Sequence, residues 1–260
     1  MSDNNNPYQP PKADVTPPPV PASSMILLPE PRSVAAGSAL SWLSDSWPMV
    51  KNNLGVWILI TIGLFGIQFV LGLVPGLGDV ASTLLGPVFT GGILMGARAV
   101  AGGEALRFDH LFAGFKEKVA PLLGLGALTL GIMFLFGIII GGAFVGMNMD
   151  TLHGETLKPE DLLNGMNTGL IAIGVILLIF IMMLFWFATQ LVALNNVPVF
   201  QALTMSFKGC LRNPLPLIFY LLLALLLVIA GAISLLLGLL VVVPWLFASA
   251  YVSYRQIFIQ

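Results

Sequence analysis

Charged residues cluster along this chain, and the stretches between clusters are long: Asn52–Gly78, Val80–Ala97, Val119–Met149, Leu162–Phe207 and Asn213–Tyr254 carry none. A helix needs about 20 mostly apolar residues to cross the hydrocarbon of a bilayer, so each of the first four intervals supplies one crossing. The last is long enough for two, joined by a tight turn between Gly231 and Gly238. The pattern predicts an all-α polytopic membrane bundle of about six spans, over residues 54–74, 80–98, 121–145, 169–193, 214–232 and 237–254. The second is short and carries Pro87 among glycines, which predicts a kinked or partly re-entrant helix.

Between the spans the pattern changes period. "FDHLFAGFK" at 108–116 and "FQALTMSFK" at 200–208 share the skeleton F-x-x-L-x-x-x-F-K. Phe108, Leu111, Phe112 and Phe115 fall on one face of a helix, as do Phe200, Leu203, Phe207 and Leu211. A third version, Leu40, Leu43 and Trp47 followed by Lys51, precedes the first span. Such helices lie in the interface plane, apolar face toward the acyl chains. The order of surface helix then membrane hairpin recurs over roughly 35–101, 104–166 and 196–257. It fits a threefold internal repeat or independent interfacial linkers.

Composition sharpens this picture, since 57% of residues are hydrophobic and 9% charged, against roughly a quarter charged in a soluble domain. Six spans with a cytoplasmic N-terminus put Lys12, Arg32, Lys51, Arg98, Arg107, Lys116, Lys118, Lys208, Arg212 and Arg255 inside and Lys158 alone outside. That is a strong positive-inside bias. Asp79, Asp150, Glu155, Glu160 and Asp161 fall on the far side. A net charge of −1 gives no reason to expect a nucleic-acid partner.

Residues 1–33 hold nine of the 18 prolines and read as a disordered tail ahead of a membrane domain at 34–260. The first 24 residues lack the apolar core of a signal peptide, so the first span is expected to direct insertion. The tail's polyproline II tendency suits either a solvated tether or a docking peptide centred on Asn6, Pro7, Tyr8, Gln9, Pro10 and Pro11.

Candidate chemistry is sparse. No ionisable group falls inside the predicted spans, where one would mark an ion or proton path. Gln68 and Gln190, with Thr61, Thr90, Thr129 and Ser234, are explained by hydrogen bonds between helices. No phosphate loop, nucleophile elbow or metal-ligand spacing is present, so neither an enzyme nor a cofactor is expected. Cys210, the single cysteine, reads as an inert buried thiol, and the loop with Asp150, His153, Glu155, Glu160 and Asp161 as a solvated acidic loop. Glycines four apart at 72/76, 92/96, 137/141 and 142/146 allow close helix packing, within one bundle or across a homodimer. Trp57, Tyr251 and Tyr254 are placed to anchor the interfaces, whereas Trp186 lies deep enough for helix packing.

The residues Asn6–Pro11, "LFAGF" at 111–115, "SFKGCLRNPLP" at 206–216 and "SYRQIF" at 253–258 carry a resemblance. In them the chain resembles an uncharacterised family of proteobacterial inner-membrane proteins with an "NPYQPP"-type tail and about six spans. More distantly it is similar to YciC-type proteins and to the membrane domain of some glycerophosphodiester phosphodiesterases, without their catalytic domain. The resemblance implies a multi-pass protein of the bacterial inner membrane. The expected role is non-enzymatic, organising or tethering a partner at the cytoplasmic membrane face; the alternative is a channel or carrier for a small neutral or lipid-like solute.

Overall fold

A computed structural model describes residues 26–147, 168–234 and 236–260. Helix α1 (Ser38–Lys51) precedes α2 (Leu54–Gly72) and α3 (Leu77–Ala101). A 3-10 helix (Phe108–Phe112) and α4 (Ala113–Glu117) lead into α5 (Val119–Met147). Then come α6 (Thr168–Phe185), α7 (Ala188–Asn195), α8 (Val199–Arg212), α9 (Pro214–Ile233) and α10 (Leu239–Phe258). Among the described residues the only extended pairing reported is an isolated antiparallel bridge between Leu27 and Ile259.

The fold is an all-α membrane bundle. Among the described residues five stretches are long and apolar enough to cross a bilayer: Leu54–Gly72, Leu77–Ala101, Val119–Gly146, Gly169–Asn195 and Pro214–Ile233. Helix α10, the sixth expected span, is not among them, although it runs for 20 residues. Its second half carries Tyr251, Tyr254, Arg255 and Gln256, and packs against α1, α2 and α3 instead of facing lipid. Helix α3 is continuous for 25 residues through Pro87, so the second span is a full-length helix.

The turns follow from their residues. Gly76 adopts φ +79° between α2 and α3, and its N–H donates to Asp79 Oδ2 at 3.2 Å. Between α9 and α10, at the expected 231–238 turn, Ser234 Oγ donates to the Gly231 carbonyl at 2.8 Å and accepts the Gly238 N–H at 2.9 Å. Pro214 opens α9 at a position where a missing amide costs no hydrogen bond.

The core sits at one end of the bundle. Trp42, Trp57, Phe187, Tyr251, Tyr254 and Phe258 are fully buried where the start of α2, the end of α3, the start of α5 and the end of α10 converge. At the opposite end Phe69, Leu73, Phe134, Ile176, Leu226 and Ile233 are exposed. Trp57, Tyr251 and Tyr254 therefore depart from the anchor role: they fill this core, with Trp57 Nε1 donating to the Met49 carbonyl at 3.2 Å.

Close approach around α3 depends on glycine. A Cβ on Gly91 would come within 2.8 Å of Leu122. On Gly92, Gly114 and Gly126 it would collide with the carbonyls of His110, Val88 and Leu84. Around Gly137, Gly141, Gly142 and Gly146 there is open space within 4 Å. Gly92→Ala and Gly114→Ala should each cost about 1–3 kcal/mol by overpacking. Gly137→Ala should be neutral or stabilising by up to about 1 kcal/mol. Thermal scans by fluorescence-detected size exclusion read the difference; a loss at Gly137 comparable to that at Gly92 would show that the open glycines meet a second chain.

Candidate functional site

The surface elements gather at the packed end, and each buries part of its surface against the bundle. In α8 the buried face is Ala202, Leu203, Met205, Ser206, Gly209 and Cys210, whereas Phe200 and Leu211 are exposed and Phe207 is half-buried. Small residues face the protein because the approach is tight: a Cβ on Gly209 would lie 2.6 Å from the Phe258 ring. On its outer side Phe207 meets Phe180 of α6 at 5.2 Å between ring centroids.

In α1 the buried residues are Ala39, Trp42, Leu43, Ser46 and Val50. Leu40 is exposed, and Trp47 is half-buried against Trp245 at 4.8 Å. The segment 108–116 is not one α-helix: Phe108–Phe112 is 3-10, and a short α-turn follows. The reason lies in the contact with α3, where Gly92 and Gly96 receive the His110 region and Gly114 rests on the Val88 carbonyl. Leu111 is fully buried, Phe112 and Phe115 set their rings edge-on to Phe89, and Phe108 is about half exposed.

Residues 26–33, assigned by composition to the tail, are instead pinned to the bundle. Leu28 N–H donates to the Phe258 carbonyl at 2.8 Å, Arg32 N–H to Ile257 at 2.8 Å, and Gln260 N–H to Ile26 at 3.0 Å. Asn213 holds the other edge: its Oδ1 accepts the Val34 N–H at 2.8 Å, and its Nδ2 donates to the carbonyls of Arg32 at 2.8 Å and Gly209 at 2.9 Å. Arg212 donates to the Pro31 carbonyl at 2.7 Å and pairs with Glu30. Residues 1–25, including the Asn6–Pro11 peptide, lie outside the described residues, as does the acidic loop with Asp150 and His153.

Beside this strap two polar clefts adjoin, of about 410 and 600 Å³, sharing Asp45, Ala101, Val252 and Arg255. The first adds Arg32 and Gln256, the second Asn52, Asn53 and Glu104. Both charges are thus represented in an open, wet surface. Among the described residues no group of three or more His, Cys, Asp or Glu could hold a metal ion. His110 is occupied locally, its Nδ1 accepting the Arg107 N–H at 3.0 Å.

Deeper, the fourth span breaks between α6 and α7, at Trp186–Phe187. Ser206 of α8 repairs the break: its hydroxyl accepts the Phe187 N–H at 2.9 Å and donates to the Met183 carbonyl at 2.8 Å. Gln190, buried, serves the same break from within the span; with its amide nitrogen turned toward them it reaches the Trp186 and Phe187 carbonyls at 3.2 Å each. Its bonds are therefore local, not between spans. Gln68 is half-buried on α2 and far from this site in the chain's packing. At the C-terminus of α7, Arg98 of α3 donates to the Leu194 carbonyl at 2.9 Å, placing a positive charge at the negative end of a helix. Tyr254 donates to Asn195 Oδ1 at 2.5 Å.

Cys210 lies against the same break, its Sγ 3.6 Å from the Met183 carbonyl oxygen. Burial pushes the thiol up from 9.0 to about 12, opposed in part by Ser206. The neutral thiol is the form the fold prefers, so its contribution holds below pH 9 and is lost as pH rises from 9 toward about 12. Maleimide labelling of the native protein at pH 8 should be slower than that of the unfolded chain by well over about tenfold. Ser206→Ala should strand the Phe187 amide and leave the Met183 carbonyl only the Cys210 thiol, costing about 1–3 kcal/mol in stability, and should speed that labelling.

In sequence, the chain is 27% identical over 188 residues to a probable inner membrane protein of Burkholderia thailandensis, covering 69% of each chain. No family model matches the chain, and no solved structure matches it. The bundle and this similarity together identify an integral membrane protein.

Proposed function

We propose that the protein is a non-enzymatic scaffold of the bacterial inner membrane, which organises or tethers a cytoplasmic partner through its proline-rich tail. The observation that carries this reading is the strap. By pairing residues 26–34 with the C-terminus and with Asn213, the chain roots the tail at the end of the bundle where the surface elements and most basic residues gather. The nearness of Leu27 to Ile259 supports an even number of crossings, in which the apolar first half of α10 completes a sixth. The basic excess at that end supports a cytoplasmic location for both ends of the described bundle.

A tether works best when its root is fixed, because a fixed root raises the effective concentration of the tethered peptide at the surface. The segment Asn6–Pro11 and the prolines that follow favour an extended conformation that aromatic grooves bind at little ordering cost. The similarity to a probable inner membrane protein supports the location.

Deleting residues 1–24 should remove specific partners from in-cell cross-linking while leaving membrane abundance unchanged. Asn213→Ala should leave the tail intact but loosen its root, read as faster trypsin cleavage at Arg32. A fluorescent reporter fused after Gln260 should glow, and an alkaline phosphatase fused there should be inactive. An unchanged set of partners after the deletion, or solute flux in reconstituted vesicles, would favour the carrier reading instead.

A further inference from the structure

We propose that a groove between α6 and α9 holds one acyl chain of a bilayer phospholipid as a fixed component of the bundle. The groove has a volume of about 310 Å³, at the lower end of the ~300–1,000 Å³ typical of small-molecule sites. Ile179, Met183 and Trp186 form one wall, Leu217 and Leu221 the other, and Cys210 of α8 closes the inner end. No polar atom lines it. Ile179–Trp186 and Pro214–Leu221 each rise about 10 Å along their helices at ~1.5 Å per residue, so the groove is long and narrow.

The occupant follows from the medium at its mouth. The groove opens between two stretches apolar enough to cross a membrane, and is continuous with exposed Ile176, Phe180, Leu222 and Leu225. Water would find no polar partner there. A phospholipid can seat one chain in the groove and leave its second chain and headgroup in the bilayer. Lys208 is exposed on α8, on the side opposite Cys210, whereas Arg212 is held by Glu30 and the Pro31 carbonyl.

A second observation, independent of the volume, is that the groove is kept dry at the place where it should be wettest. The break at Trp186–Phe187 frees backbone groups beside the closed end. Ser206 takes both the Phe187 amide and the Met183 carbonyl, and Cys210 adds to the latter from the groove's own wall. The polarity exposed by the break is consumed from behind, leaving an apolar wall. Met182 and Met183 give that wall adaptable side chains suited to chains of varying length.

The test uses the full chain in phosphatidylethanolamine–phosphatidylglycerol vesicles, with a trace of phosphatidylethanolamine carrying a photoreactive group on one acyl chain. Peptide mapping should show labelling of residues 179–186 and 214–221 above that of the exposed α2 face at Phe69–Leu73 by about fivefold or more. Ile218 lines the groove and is half exposed, so Ile218→Trp should fill the groove and be tolerated. The excess labelling should vanish in that variant while labelling at Phe69–Leu73 persists. Equal labelling of both surfaces, an excess that survives Ile218→Trp, preference for a photoreactive free fatty acid, or cross-linking of two copies through this groove would each overturn the proposal.

Discussion

In hydrocarbon a backbone amide or carbonyl has no water to turn to, and leaving one unpaired costs several kcal/mol. That constraint accounts for where this chain spends its few polar side chains. Thr61 and Thr129 return their hydroxyls to carbonyls one turn back, at 2.9 Å each. Ser234 closes the turn between α9 and α10. Ser206 and Gln190 mend the interrupted fourth span, and Tyr220 shares its hydroxyl with Ser249 at 2.8 Å. Most of these groups restore local backbone bonding; few are left over to line a path for a polar solute.

The same constraint shapes the surface elements. A helix at the interface has three environments around it: protein, acyl chains and water. In α8 Ala202, Leu203, Met205, Ser206, Gly209 and Cys210 take the first, while Phe200 and Leu211 are exposed and apolar and Gln201 and Lys208 exposed and polar. Glycine decides how close the first can be, as at Gly209 against Phe258 and Gly114 against Val88. The two-sided rule for soluble amphipathic helices, apolar inward and polar outward, does not transfer to such an element.

This explains which features could be seen in the chain's pattern beforehand. The membrane helices and the Gly231–Gly238 turn were legible because length and charge spacing are set by the bilayer, which is the same for every protein. The inward faces of the surface helices were not: the stripe of Phe200, Leu203, Phe207 and Leu211 points toward acyl chains, yet Leu203 is buried in protein beside Ser206 and Cys210. Ser206 was missed for a related reason. Its role arises from a break in a span about 20 residues earlier, and the apolar run through Trp186–Phe187 carries no glycine or proline to betray it. Residues 26–33 looked like tail because their hydrogen bonds are made by the backbone, which composition does not report.

The pairing of Leu27 with Ile259 also fixes an order of events during synthesis. The strap cannot close until residues 257–260 have been made, so the helices before them are synthesised while the segment around Leu28 is still unpaired. Without residues 257 and 258 the Leu28 and Arg32 amides would lack the carbonyls that hold them, so the segment before α1 depends for its place on the last turn of α10.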